Sequence, residues 1–134
     1  MKTLLFIIYL IPFLGMSQNA ETHISYFNNG QVKERLTYIN GKLNGTSITY
    51  FESGNLKETQ FYKDGLKEGE WVMFDDNKNK IASAHFFNDK KDGEWIVWDS
   101  NGKTRFEMCY EHDKKTGTWI MRDETGYIVQ VREY

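Results

Sequence analysis

The heptads "GEWVMFD" (residues 69–75) and "GEWIVWD" (residues 93–99) differ only by apolar-for-apolar exchanges, and "GTWIMRD" (residues 117–123) is a third variant of the same text. Trp71, Trp95 and Trp119 are spaced 24 residues apart. Self-similarity at a fixed period of this size marks a repeat array. Blocks started at Gly45, Gly69, Gly93 and Gly117 align without gaps. One column then holds Ile24, Ile48, Val72, Ile96 and Ile120. A second, two residues on, holds Tyr26, Tyr50, Phe74, Trp98 and Arg122. A third holds Tyr38, Tyr62, Phe86, Tyr110 and Tyr134. The turn column runs Gly30, Gly54, Lys78, Gly102 and Gly126, so only the middle copy departs from glycine. Five copies keep register.

Each block reads as a β-hairpin. "EWIVW" and "TWIMR" are β-branched and aromatic runs of strand length, far short of a helix. The segments "NNG", "ESG", "DSNG" and "ETG" follow, supplying turn residues able to take positive φ. A second strand comes next, as in "NLKETQFY" and "KTRFEMCY", and a loop such as "KDGLKEG" leads into the next block. The only proline, Pro12, lies outside these strands. The prediction is an all-β fold, an open antiparallel meander of about five 24-residue hairpins. Around ten strands set ~4.8 Å apart would make a sheet roughly 45 Å long. Such a sheet touches only its sequence neighbours, so its stability sums over repeats and their interfaces. Low mean hydropathy combined with 16% aromatic residues suits a thin structure of stacked rings.

Residues 1–17, "MKTLLFIIYLIPFLGMS", read as a secretory signal peptide. Lys2 gives the positive start, Leu4 to Leu14 the short apolar run, and Gly15 and Ser17 the small residues before a cleavage point at Gln18. The run is too short for a comfortable membrane span. The expected organisation is a signal peptide over 1–17, a short linker over 18–22 and the array over 23–134, with the chain exported. No Cys follows the cleavage point, so lipid attachment there is excluded, and the lone Cys109 cannot make an intramolecular disulfide.

The net charge is −2, with Lys, Asp and Glu interspersed. Duplex nucleic acid needs a concentrated basic face, so it is not an expected partner. His23, His85 and His112 fall in different repeats, and no cluster has zinc spacing, so no metal or other cofactor is expected. Acid pairs such as Glu68 with Glu70, or Asp92 with Glu94, straddle the repeat glycine, but a flat meander gives them no cleft to act across. No nucleophile or phosphate-binding motif occurs. No catalytic residue is assigned, and an enzyme is not expected. Lys67, Lys91 and Lys115 form another column, read as a solvated edge because Glu68, Glu70, Asp92 and Glu94 lie beside it.

The pattern Tyr62, Gly65, Gly69, Trp71, followed by Phe74 and a Gly-bearing turn, resembles the MORN repeat in its bacterial variant form. Later copies keep Phe86, Gly93 and Trp95, or Tyr110, Gly117 and Trp119. Ser47 stands in the Trp place of the second copy, Arg122 in the aromatic place of the last, and Asp89 and Asp113 in place of the loop glycine. The resemblance implies a single-layer sheet used for binding. Related bacterial proteins are often labelled antitoxin components, and eukaryotic relatives are associated with membranes or protein assembly. A signal peptide argues against an inhibitor of a cytoplasmic toxin.

Three function classes follow. The first is an exported, non-catalytic binding or scaffold module for another envelope protein. The second is recognition of cell-wall carbohydrate through an aromatic ladder, and the third an antitoxin-like inhibitor. Membrane-surface contact is not favoured. The candidate binding residues are Trp71, Trp95, Trp98, Trp119 and Tyr134. The Trp row has a competing role, packing hairpin against hairpin. The last strand, "YIVQVREY", is an edge to which a partner's strand could add.

Overall fold

A computed structural model of the chain describes residues 19–134, which form one antiparallel sheet. The signal-peptide assignment lies outside the described residues. Five hairpins follow in chain order. The first is β1 (Ala20–Tyr26) with β2 (Val32–Ile39). The second is β4 (Gly45–Tyr50) with β5 (Leu56–Lys63), entered through the two-residue strand β3 (Lys42–Leu43). The third is β7 (Gly69–Phe74) with β8 (Lys80–Phe87), entered through β6 (Leu66–Lys67). The fourth is β10 (Gly93–Trp98) with β11 (Thr104–Glu111), entered through β9 (Lys90–Lys91). The fifth is β12 (Lys114–Arg122) with β13 (Ile128–Glu133). Spatial order equals chain order along the path β1-β2-β4-β5-β7-β8-β10-β11-β12-β13. The meander is open, as the period predicts.

One boundary moves. The linker expected over 18–22 is partly strand, because Ala20, Glu21 and Thr22 pair with Ile39, Tyr38 and Thr37. Strand β2 continues to Ile39 before its turn, and the ladder bonds beyond the first column residue would otherwise go unmade.

The two loop families have distinct chemistry. Between repeats, Asn40-Gly41, Asp64-Gly65, Asn88-Asp89 and His112-Asp113 each place two successive residues at positive φ. That is the backbone of a tight hairpin turn whose twist matches the strands. After each turn the chain bulges into the block-leading glycine; Gly93, at φ +95°, would bring a Cβ within 3.2 Å of His85 Cβ. Within each repeat, the turn after the first strand closes with paired backbone bonds. Examples are Asp99 N to Lys103 O at 2.9 Å and Gly102 N to Asp99 O at 2.9 Å. Lys78 adopts the same left-handed conformation as the glycines of its column, at φ +70°.

Alternation along the strands gives the sheet two unlike faces. Trp71, Met73, Trp95, Val97, Trp119 and Met121 share one, here the tryptophan face. Val72, Phe74, Ile96, Trp98, Ile120 and Arg122 share the other, the isoleucine face. No second layer covers either face among the described residues. Burial is correspondingly shallow: among the described residues only Ala84, Ser47 and Ser83 are buried, and no large side chain is fully enclosed. The core is the thickness of one sheet.

Candidate functional site: the tryptophan face of repeats three to five

The aromatic columns merge into a single ladder. Trp71 meets Phe86 at 5.3 Å between ring centroids, and Phe86 meets Trp95 at 5.3 Å. Trp95 then meets Tyr110 at 5.4 Å, Tyr110 meets Trp119 at 5.1 Å, and Trp119 meets Tyr134 at 4.9 Å. The arrangement follows from sequence: a Trp on the first strand of one repeat falls between the Tyr or Phe of its own second strand and that of the repeat before. Tilted and edge contacts at these distances are each worth ~0.5–1.5 kcal/mol beyond the area they bury. The indoles are tied to the backbone as well. Trp95 Nε1 donates to His85 O at 3.2 Å, and Trp119 Nε1 donates to Cys109 O at 3.0 Å.

The lysine column differs from its sequence reading. Lys67, Lys91 and Lys115 do not simply line a solvated edge. Their ammonium groups sit over the indoles of Trp71, Trp95 and Trp119 at 4.7, 4.6 and 4.5 Å. Each also lies within 5.0 Å of the next ring, Phe86, Tyr110 or Tyr134. Two of the acids beside them, Glu68 and Asp92, are occupied elsewhere, which leaves the lysines free to do this. Glu68 accepts from Asn88 N at 3.0 Å and Asp92 from His112 N at 3.1 Å, each capping the turn of the following repeat. Asp89 and Asp113 reach the other way, accepting from Lys67 N at 2.7 Å and Lys91 N at 2.8 Å. The Asp residues that replace the loop glycine therefore clamp adjacent repeats, in a backbone conformation that Asp tolerates.

Of the five residues proposed from sequence, Trp71, Trp95, Trp119 and Tyr134 come together on the ladder. Trp98 does not. It stands three residues beyond Trp95, on the isoleucine face, with Lys80 Nζ 5.1 Å from its ring. Arg122, the odd member of that column, pairs with Glu107, at the position where Thr59 and Ser83 stand in earlier repeats.

Sequence reading missed two hollows on the tryptophan face. The first, about 170 Å³, lies where Ala82 and Ala84 leave space between Trp71 with Met73 and Trp95 with Val97. The second, about 250 Å³, has Phe106, Met108, Trp119 and Met121 at its floor and Lys115, Gln130, Arg132 and Tyr134 at its rim. The small residues at 82 and 84 were the available signal, since the corresponding positions of the next repeat carry Phe106 and Met108. Arg132 and Lys115 beside the Tyr134 hydroxyl hold it below the ordinary phenol value of 10.0. Lys115 Nζ is 3.4 Å from that oxygen. Among the described residues, no group of three His, Cys, Asp or Glu is placed to hold a metal ion.

Comparison with known proteins identifies the repeat. The family model described as MORN repeat variant matches residues 22–40, 43–64 and 91–112. No curated protein matches. Among solved structures, a chain of the "Crystal structure of GtfA/B complex bound to UDP and GlcNAc" is similar at 11% identity with a TM-score of 0.34. That similarity covers 94% of this chain and 25% of that one.

Proposed function

Since this chain belongs to the MORN repeat variant family, whose repeats serve protein and membrane contacts without catalysis, we propose that it is an exported binding module. In this reading it holds another protein of the cell envelope against the tryptophan face of repeats three to five. One observation carries the reading: in a sheet one layer thick, that face presents Trp, Met, Phe and Val side chains with no layer over them among the described residues. A contiguous apolar surface of this kind marks an interaction site. The N-terminal segment "MKTLLFIIYLIPFLGMS" supports export. Sugar stacking is the weaker reading, because a ligand sugar needs an open ring face and a lysine already lies over each ladder indole. Nothing in the geometry favours the antitoxin-like role.

The test is cross-linking of the exported chain, beginning at Gln18, in its own envelope extract. The reading predicts one protein in stoichiometric yield, with cross-links at Lys91 and Lys115. Glycan fragments or lipid without a protein would contradict it. An intact mass that retains residues 1–17 in a cytoplasmic fraction would contradict export.

A further inference from the structure

We infer that the partner segment is an amphipathic helix lying across the strands, with an apolar anchor in the alanine hollow and a carboxylate about ten residues further on, between Lys115 and Arg132. The inference rests on the protein-binding reading above and specifies its ligand.

Charge is the first argument. Among the described residues, neither Lys115 nor Arg132 has an acidic side chain within ion-pair distance, although five pairs form elsewhere. The neighbouring acid on β13, Glu133, accepts from the Thr118 hydroxyl at 2.7 Å. With the Gln130 amide turned so that its oxygen faces the guanidinium, it accepts from Arg132 Nε and Nη2, both at 2.9 Å. That bond fixes the guanidinium beside the Tyr134 hydroxyl, at the rim of the hollow. No other repeat offers this pair, because the positions equivalent to Arg132 are Leu36, Gln60, Ala84 and Met108. Two uncompensated cations at the rim of an apolar floor fit a carboxylate carried on an apolar body.

Backbone chemistry decides the ligand's form. The sheet face has no free ladder groups, so an extended segment laid on it would leave its own amides unpaired against apolar side chains. A helix satisfies its backbone internally and offers one apolar stripe, the helix-in-groove mode of recognition. The hollows are centred over β8 and β12, three strand spacings or about 14 Å apart. At 1.5 Å per residue that is roughly nine to ten residues of helix. The cations also select a direction, since the C-terminal end of a helix carries the negative end of its dipole. A small free ligand is a poorer fit, because such sites enclose most of their ligand and these hollows are open on one side.

The probe is a fluorescein-labelled 18-residue helical peptide with a leucine stripe, made with Glu or with Lys in its last two turns and titrated by anisotropy against the full exported chain. The Glu peptide is expected to bind about tenfold or more tightly than the Lys peptide. Replacing both Lys115→Gln and Arg132→Gln should remove that preference, and Lys80→Gln, on the opposite face, should leave it intact. Ala82→Lys should weaken both peptides. Should that variant melt early, the pair of exposed rim substitutions carries the test by itself, with the melting midpoint as control. Equal affinities, a preference for Lys, or binding indifferent to the rim variants would overturn the inference. Failure of both peptides while cross-linking still recovers a protein partner would overturn this inference and leave the binding reading standing. Displacement of the Glu peptide by octanoate with no loss in the rim variants would assign the floor to free amphiphiles and overturn it too.

Discussion

Repeats one and two share a backbone with repeats three to five and differ in what joins neighbouring hairpins. In the first two, the ladder position holds His23 and Ser47, and the tryptophan face carries Glu34, Thr49, Glu58 and Gln60. Among the described residues the stacking found there is one ring contact, His23 to Tyr38 at 4.8 Å, and one lysine over a ring, Lys57 above Phe51 at 5.6 Å. From Trp71 onward, five successive ring contacts and three stacked lysines run to Tyr134. The turns divide at the same place. Phe27 and Phe51 occupy the position at which Asp75, Asp99 and Asp123 accept backbone bonds from their own turns. Periodic backbone and periodic side-chain function are thus separable: five repeats build the sheet, and three of them build the surface.

The junction between the two regions is imperfect. Tyr62 does not continue the ladder to Trp71; its hydroxyl donates to Gln60 instead. Burial, and then the charges of Glu58, Asp89 and Glu34, push that hydroxyl above its usual titration range. Trp71 Nε1 is buried with no hydrogen-bond partner among the described residues, in contrast to Trp95 and Trp119. An orphaned buried donor costs about 1–3 kcal/mol, so the third repeat meets the second less well than it meets the fourth.

The comparison can be broken most severely at the centre of the ladder. Trp95→Ala removes contacts to Phe86 and Tyr110 and the bond to His85 O, and should cost about 2–4 kcal/mol in denaturant unfolding. His23→Ala, at the corresponding place in the first repeat, should cost well under about 1 kcal/mol, as exposed substitutions do. Next in size, Gly93→Ala forces a Cβ into left-handed backbone and against His85, an expected loss of about 1–2 kcal/mol. The junction sharpens the comparison. Trp119→Phe should cost about 1 kcal/mol more than Trp71→Phe, because only the former deletes a hydrogen bond. Lys78→Gly should gain up to about 1 kcal/mol in the same assay by relieving the single non-glycine of its turn column.

Acid gives the mildest and most local effect. The Asn79 side chain donates to Asp75, and the Thr125 hydroxyl to Asp123. These bonds hold both carboxyls below their ordinary value of 3.8. Folding therefore favours the charged form. Its contribution is present above pH 3.8 and is lost as pH falls through the lower folded values. Amide exchange should quicken at those two turns before it does at the Phe27 and Phe51 turns.

Much of the fold was legible because column position alone decides it. The 24-residue period, the turn glycines and the strand composition give the five hairpins and their order. The site was only partly legible. The Trp and Tyr columns announce rings in a row, but which face Trp98 joins depends on strict strand alternation, and three residues is an odd step. The lysine stacking was hidden because adjacent acids suggested cancellation. Two of those acids, Glu68 and Asp92, turn away to cap the next repeat's turn, a bond between residues 20 apart that local reading does not reveal. The hollows were hidden for another reason: a cavity is recorded as small side chains, and Ala82 and Ala84 acquire meaning only beside their counterparts Phe106 and Met108.

The division of the array into a plain half and a built half is tested most directly by amide hydrogen exchange resolved along the free protein. Protection in β7, β8, β10 and β11 should exceed that in β1, β2, β4 and β5, with the step falling between Tyr62 and Trp71. Uniform protection along the array, or greater protection in the first two repeats, would contradict the account.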